Sequence, residues 1–171
     1  MRRLVQIICS ALFFGSTFVV ASAGVASATD SDSIKKALSS RHMDVTRAQL
    51  EQMAGGKDAL VTELLTLRRD TATPFVGVRA VKLLLPYSGE ARVQSALNED
   101  LGSTEYKGLA EAIALNLVSS TESGESRNVL ARSALERAKA DESFAPFVEP
   151  IKSSQDPEMK RIVSDVLAAA H

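Results

Sequence analysis

Apolar residues recur along most of this chain with the spacing of α-helices. The clearest stretch is 106–118, where apolar side chains fall at every third or fourth position. The same spacing recurs over residues 159–170, and a shorter version covers 93–101. No segment alternates apolar and polar residues as a half-buried strand does, and β-branched residues are sparse beyond the N-terminal segment. The pattern therefore predicts an all-α protein.

Capping residues mark where several predicted helices begin or end. Thr46 and Gln49 have the spacing of a capping box, and Thr73 and Asp156 each precede a proline suited to the first helical position. The glycine pair 55–56 ends one helix. The predicted helices span residues 31–40, 46–54, 57–69, 74–86, 90–101, 104–119, 126–140, 143–152 and 157–170. The loops are short, so consecutive helices are expected to be antiparallel neighbours.

The first 28 residues have the pattern of a secretory signal peptide. Arg2 and Arg3 precede an almost unbroken apolar run, and small residues follow it up to Ala28. Cleavage after Ala28 would start the mature chain at Thr29, and Ala23 ends a second possible cleavage site. The run is also long enough to cross a bilayer, so an uncleaved anchor is the alternative. The pattern predicts export to the bacterial periplasm or the extracellular space.

Composition limits the chemistry that the mature chain can perform. Cys9, the only cysteine, leaves with the signal, so the remaining 143 residues have no disulfide, thiolate metal site or cysteine nucleophile. They carry 18 basic and 21 acidic side chains without a basic tract, which argues against a nucleic-acid partner. No later apolar run is long enough to span a membrane, so no membrane contact is expected after signal removal.

Two stretches resemble units of the HEAT-like repeat family, in which a leucine-rich helix leads through an acidic turn to a second helix. Residues 60–67, Asp70 and 74–81 have this arrangement, and the second helix has the sequence Pro-Phe-Val-Gly-Val-Arg-Ala-Val. Residues 144–151 and 156–163 have it again, with Asp-Pro-Glu-Met-Lys-Arg-Ile-Val as the second part. A looser third unit lies between these two.

The resemblance implies a short right-handed α-solenoid of stacked antiparallel helix pairs over residues 57–171. Residues 29–56 are then expected to form N-terminal capping helices, because the apolar end of a stack would otherwise meet water. Short bilin-lyase-type HEAT repeats are similar at this level. That likeness implies a shared repeat unit and gives no evidence of lyase chemistry.

Basic residues recur near the starts of the second helices. The intervals of 28, 25 and 28 residues separate Arg79, Lys107, Arg132 and Lys160. Either one repeat is abbreviated or Arg132 matches by chance. We expect the turn acids and most of these bases to pair in a structural ladder that sets the helix register. The residues predicted for this ladder are Asp70, Arg79, Lys107, Asp156 and Lys160.

Residue types that carry catalysis are few and scattered. The two histidines, His42 and His171, have no partner at helical spacing. No serine lies in a G-x-S-x-G turn, and no glycine-rich phosphate loop occurs. The neighbouring acids at 99–100 and 141–142 are interpreted as charges at helix ends, because sequence neighbours point in different directions on a helix. The sequence predicts no catalytic residue, no cofactor and no metal ligand.

The leading hypothesis is a protein-interaction or scaffolding module with an unidentified protein partner. Second helices of a stack line one face, so their outward residues Lys82, Glu111 and Asp165 are predicted to contact that partner. One alternative is an envelope enzyme, or an accessory subunit of one, whose site is not readable from sequence. Another is an envelope structural protein tethered by an uncleaved N-terminus. The oligomeric state and the exact number of repeats stay open.

Overall fold

All regular structure in the described residues is helical, as predicted. A computed structural model describes residues 31–40, 42, 45–70, 72–120 and 124–169. The signal peptide predicted for residues 1–28 and the terminal His171 lie outside them.

Nine α-helices follow one another in the described part of the chain. They are α1 Ser31–Ser39, α2 Arg47–Ala54, α3 Lys57–Leu67, α4 Pro74–Leu84, α5 Ala91–Gly102, α6 Lys107–Ser120, α7 Glu125–Ala140, α8 Glu149–Lys152 and α9 Pro157–Ala168. There are also two 3₁₀ segments in the described residues. Leu85–Tyr87 follows α4, and Glu142–Val148 precedes α8. Apart from α8, which begins six residues later than predicted, the α-helix bounds lie within about three residues of the predicted ones.

Local capping chemistry explains several of these bounds. The Gln49 N–H donates to Thr46 Oγ1 at 3.3 Å, and the Thr46 N–H donates to Gln49 Oε1 at 2.8 Å, which completes the predicted capping box. Asp156 caps α9 by accepting from the Glu158 N–H at 2.9 Å. Thr73 does precede a proline at the start of α4, but its side chain makes no capping bond.

Two predicted helices differ from the structure for identifiable reasons. Ser103 Oγ accepts from the N–H groups of Glu105 at 3.2 Å and Tyr106 at 3.3 Å, so a turn occupies this segment and α6 begins only at Lys107. Pro146 lies within the helix predicted for 143–152. Proline lacks the N–H that an α-helix needs there, and most of this segment is 3₁₀.

The helices lie in two rows. In the first row α3 contacts α5, α5 contacts α7, and α7 contacts α9. In the second row α1 contacts α4, α4 contacts α6, and α6 contacts α8. Helices adjacent in sequence, such as α3–α4, α5–α6 and α8–α9, join the rows, and α2 lies against α1 and α3. From α3 onward the chain therefore changes row at every helix.

An apolar core fills the space between the rows. Its fully buried large side chains come from eight helical elements and include Ile34, Leu60, Leu97, Ile113 and Phe144. Burying one such side chain contributes about 1.5–3 kcal/mol. Since no row can cover its own apolar side, each helix depends on the opposite row for stability.

Candidate functional site

A cavity of about 270 Å³ opens between the N-terminal halves of α4 and α6. It is lined by Arg68, Arg69, Asp70, Gly77, Val78, Tyr106, Gly108 and Leu109. Most of the lining surface is apolar, and the charged residues of the lining all follow α3 in the chain. An apolar cavity with a few polar groups at its rim suits an apolar side chain or a small ligand.

Gly77 allows α4 to approach the end of α3 at this cavity. A Cβ atom at Gly77 would lie 2.6 Å from the carbonyl oxygen of Arg68 and 3.3 Å from Leu109 Cδ2. The first of these atoms belongs to the backbone and cannot rotate away. The absence of a side chain at Gly77 therefore sets the spacing of the helices around the cavity.

Large apolar side chains are exposed beside the cavity. Phe75 exposes 76% of its surface, the largest value among the large apolar residues described. Val78, three residues later, lines the cavity, and residues at this spacing are neighbours on a helix. On α6, Leu115 is 45% exposed and lies about two helical turns beyond Gly108, which lines the cavity. Exposed apolar groups around an apolar cavity are typical of a contact surface.

The predicted partner residues Lys82 and Glu111 belong to this same surface. Lys82 is exposed and lies one turn beyond Val78, while Glu111 is half-buried and lies one turn before Leu115. The surface formed by Phe75, Val78, Lys82, Glu111 and Leu115 is called the α4–α6 face below.

Asp165 does not lie with the other two predicted partner residues. It is on α9 in the first row, where Arg132 of α7 pairs with it at 3.6 Å. Lys82 and Glu111 are on α4 and α6 of the second row. The expectation of one shared face is thus wrong for Asp165, because the chain changes row three times between α6 and α9.

The two turn acids of the predicted ladder have basic partners that the sequence did not indicate. Lys35 of α1 contacts Asp70 at 2.5 Å, and this bond holds the pKa of Asp70 below its ordinary value. Arg127 of α7 donates to Asp156, and it likewise lowers the pKa of Asp156. Each of these ion pairs connects two helices that are neighbours in one row: α1 with the turn before α4, and α7 with the start of α9.

The four basic residues of the repeat series do not occupy one repeated position. Arg79 and Lys107 are on α4 and α6 of the second row, whereas Arg132 and Lys160 are on α7 and α9 of the first. Lys107 donates to a serine hydroxyl in the 3₁₀ segment before α8 at 3.0 Å. Lys160 donates to a glutamine side chain in the preceding loop at 2.9 Å. The regular spacing of the series therefore does not mark one repeated structural position.

Arginines close the C-terminal ends of two helices. Arg79 Nη1 donates to the carbonyl oxygen of Leu38 in α1 at 2.5 Å and to the carbonyl two residues later. Arg137 Nη1 donates to the carbonyl of Leu101 in α5 and, at 2.6 Å, to that of Ser103. These carbonyls have no partner within their own helix, so the arginines satisfy them. The role of Arg137 could not be predicted, because its acceptors are backbone atoms 36 and 34 residues earlier in the chain.

Asp100 is fully buried and is held by two arginines from the end of α3. Arg68 Nε donates to Asp100 Oδ2 at 2.9 Å, and Arg69 Nη2 donates to Asp100 Oδ1 at 2.9 Å. Glu99 contacts the same arginines but exposes 61% of its side chain. The interpretation of both acids as charges at a helix end is wrong for Asp100. Its position three residues after Leu97, on the apolar stripe of α5, was the signal of burial.

Three further cavities lie along the first row. Cavities of about 650 and 400 Å³ share Arg132 and Ser133 of α7. A third cavity, of about 590 Å³, lies between α5 and α7 beside Asn98. These cavities are larger than the one on the α4–α6 face. The largest has a mainly apolar lining, but its charged residues Arg132, Glu136 and Arg137 already have partners.

The described residues contain no group of three or more histidine, cysteine, aspartate or glutamate side chains placed to hold a metal ion. His42 is exposed. None of the helices described has both the length and the apolar character that a membrane span requires. Compared with models of protein families, with curated proteins and with solved structures, the chain matches none of them.

Proposed function

We propose that this chain is an exported helical repeat protein of the HEAT-like type that binds another protein through the α4–α6 face. The observation that carries the proposal is the exposure of Phe75, at 76% of its surface, beside an apolar cavity. An isolated apolar side chain in water is unfavourable, and it gains most when it is buried in a partner. The role is one of binding and scaffolding, with no reaction assigned to the chain.

Polar contacts between helices support the repeat architecture. Arg68 and Asp100 are 32 residues apart, Arg127 and Asp156 are 29 apart, and Lys107 reaches 36 residues ahead. Each contact links a helix to the next element of its own row, so each interval is about the length of a two-helix unit. A short solenoid of antiparallel pairs gives such a recurrence, with α1 and α2 covering its N-terminal end.

Export is supported by the N-terminal sequence alone. Arg2 and Arg3, the apolar run and the small residues before Thr29 are the basis of this part of the proposal. Intact-mass measurement of the protein recovered from outside the cytoplasm tests it. A mass that begins at Thr29 supports cleavage after Ala28, and the full-length mass would support the tethered alternative.

Site-specific photocrosslinking tests the binding role. A photoreactive amino acid at position 75 is expected to capture one protein reproducibly in native envelope extract. The matched position is Leu167 of α9, which is 50% exposed and lies in the other row, and crosslinking from it should not capture that protein. Lys82→Glu in the chain labelled at position 75 is expected to abolish the capture. Equal capture from both positions, or recovery of abundant background proteins alone, would contradict the proposal.

A further inference from the structure

The α4–α6 face carries an apolar protrusion next to an apolar hollow. The ring of Phe75 projects beside the cavity of about 270 Å³ that Val78 and Leu109 help to line. About 150 Å³ is enough to hold a benzene ring, whereas drug-sized ligands need about 300–1,000 Å³. The cavity is therefore of a size for a single aromatic side chain. A surface that carries both a protrusion and a fitting hollow is complementary to itself, which is what an isologous contact requires.

The direction of the helices makes this complementarity geometrically possible. Gly77 and Leu109 lie next to each other near the N-terminal ends of α4 and α6, and the two helices pack along one another, so they run in the same direction. A twofold axis parallel to them places α4 of one copy over α6 of a second copy at equal height. Under that operation Phe75 of each copy faces the cavity of the other.

The charges of the face fit the same arrangement. Lys82 is four residues beyond Val78, and Glu111 is three residues beyond Gly108, which places them about 6 Å and about 4.5 Å above the cavity along the helix axes. The twofold axis sets Lys82 of one copy opposite Glu111 of the other, within the reach of a lysine side chain. Within the described residues neither of them forms a salt bridge, so both charges are available to a partner.

We infer that the partner of the α4–α6 face is a second copy of this chain. The two copies form a twofold dimer in which each Phe75 enters the other cavity and Lys82 pairs with Glu111 twice. The inference rests on the proposed function, since it takes the same face as the binding surface and names its occupant. In this dimer the inserted Phe75 rings supply affinity, and the Lys82–Glu111 pairs select the relative orientation of the two copies.

Sedimentation velocity over a wide range of concentration tests the inference on protein purified after expression of the full sequence. The wild-type chain is expected to pass from monomer to dimer as its concentration rises. Phe75→Ser should weaken the dimer by roughly tenfold or more, because it removes the inserted ring. Lys82→Glu and Glu111→Lys should each weaken it as well, since each brings like charges together. The double variant that carries both changes should restore the dimer, because the charges are then exchanged.

Leu167→Ser is the matched control, since it removes an exposed apolar side chain from the other row and should leave the association unchanged. Circular dichroism checks that every variant remains folded. A chain that is monomeric at all concentrations, or a dimer that Phe75→Ser does not weaken, would overturn the inference.

Sedimentation and crosslinking together distinguish a failure of this inference from a failure of the proposed function. If the chain is monomeric but still crosslinks from position 75 to a different protein, the dimer is refuted and the binding role is supported. If the chain is monomeric and crosslinks to no protein, both the dimer and the binding role are refuted. A crosslinked product with twice the mass of the chain supports both.

Discussion

Arg68 Nε donates to Asp100 Oδ2 at 2.9 Å, and this bond joins the end of α3 to the buried side of α5. The Asp100 side chain has no exposed surface, and that of Arg68 is 11% exposed. Charges so far from water are stable only while each has its partner. The packing of α3 against α5 in the first row therefore depends on this ion pair.

Replacement of Asp100 by alanine is expected to lower the free energy of unfolding by about 3–5 kcal/mol, since Arg68 would lose its buried counter-charge and keep only the longer salt bridge with the exposed Glu99. Urea unfolding followed by circular dichroism measures the loss. Glu99→Ala is the control, because Glu99 contacts the same arginines from an exposed position, and it should cost only about 0–1 kcal/mol. Equal losses in the two variants would refute the argument from burial.

Arg137→Met tests the arginine of α7 that donates to the carbonyls at the end of α5. Methionine keeps much of the apolar stem but cannot donate to the carbonyls of Leu101 and Ser103. The loss of unfolding free energy is expected to be about 1–3 kcal/mol, the cost of leaving buried acceptors unsatisfied. Arg132→Met, at a half-exposed position of the same helix, should change stability by no more than about 0.5 kcal/mol. If both substitutions prove neutral, the carbonyl contacts contribute nothing to stability.

Gly77→Ala is expected to destabilise the protein by about 1–3 kcal/mol, because the new Cβ would overlap the Arg68 carbonyl. Gly108→Ala, on the opposite wall of the cavity, meets no atom within 4 Å. That variant should be neutral or more stable by up to about 1 kcal/mol, since alanine favours the helix. Thermal unfolding of the two variants compares them directly, and a stable Gly77→Ala protein would show that α4 can move away from α3.

Alkaline pH should weaken the fold through Tyr87. Burial, followed by the hydrogen bond that its hydroxyl donates to Glu51 Oε1 at 2.6 Å, raises the pKa of Tyr87 to about 12. The unfolded phenol has a pKa near 10, so the stability that Tyr87 contributes is complete below pH 10 and is lost as the pH rises from about 10 through about 12. In the Tyr106→Phe variant Tyr87 is the remaining tyrosine, and ultraviolet titration follows it alone. A midpoint near 10 in the folded variant would be inconsistent with this account.

The helices could be predicted because their signals are local. Thr46 and Gln49 are three residues apart and form the capping box on their own. Gly55 ends α2 in the left-handed conformation at φ 84°, which glycine adopts without steric cost. Such signals need no knowledge of the rest of the chain.

The pairing of charges could not be predicted, because it depends on which helices become neighbours. Asp70 was expected to meet a base of the second helices and instead contacts Lys35, 35 residues earlier. Asp165 was grouped with residues of the other row for the same reason. Periodicity along one helix tells which side is buried, but it does not tell which row the helix joins.

The two charged residues of the α4–α6 face were named from the sequence, but the exposure of its aromatic residue was not. Lys82 and Glu111 were chosen as outward positions of second helices; Lys82 is exposed, Glu111 is half-buried, and each lies one helical turn from a residue that lines the cavity. Phe75 was placed only within the repeat motif, and its exposure follows from its position next to the start of α4, where few elements pack against it. Exposure of a single apolar residue is a tertiary property, so sequence pattern alone gives little sign of it.

The alternation of the helices between two rows has a consequence for how the protein folds and how it fails. Each helix contacts elements that lie close to it in sequence, so the mean separation of contacting residues is small, and such chains fold quickly. A helix at either end of a row has one neighbour in that row, whereas α4, α5, α6 and α7 have two. Backbone amides in the middle helices should therefore exchange with solvent most slowly, and a mechanical load on the two ends should detach the outer helices one after another before the centre opens.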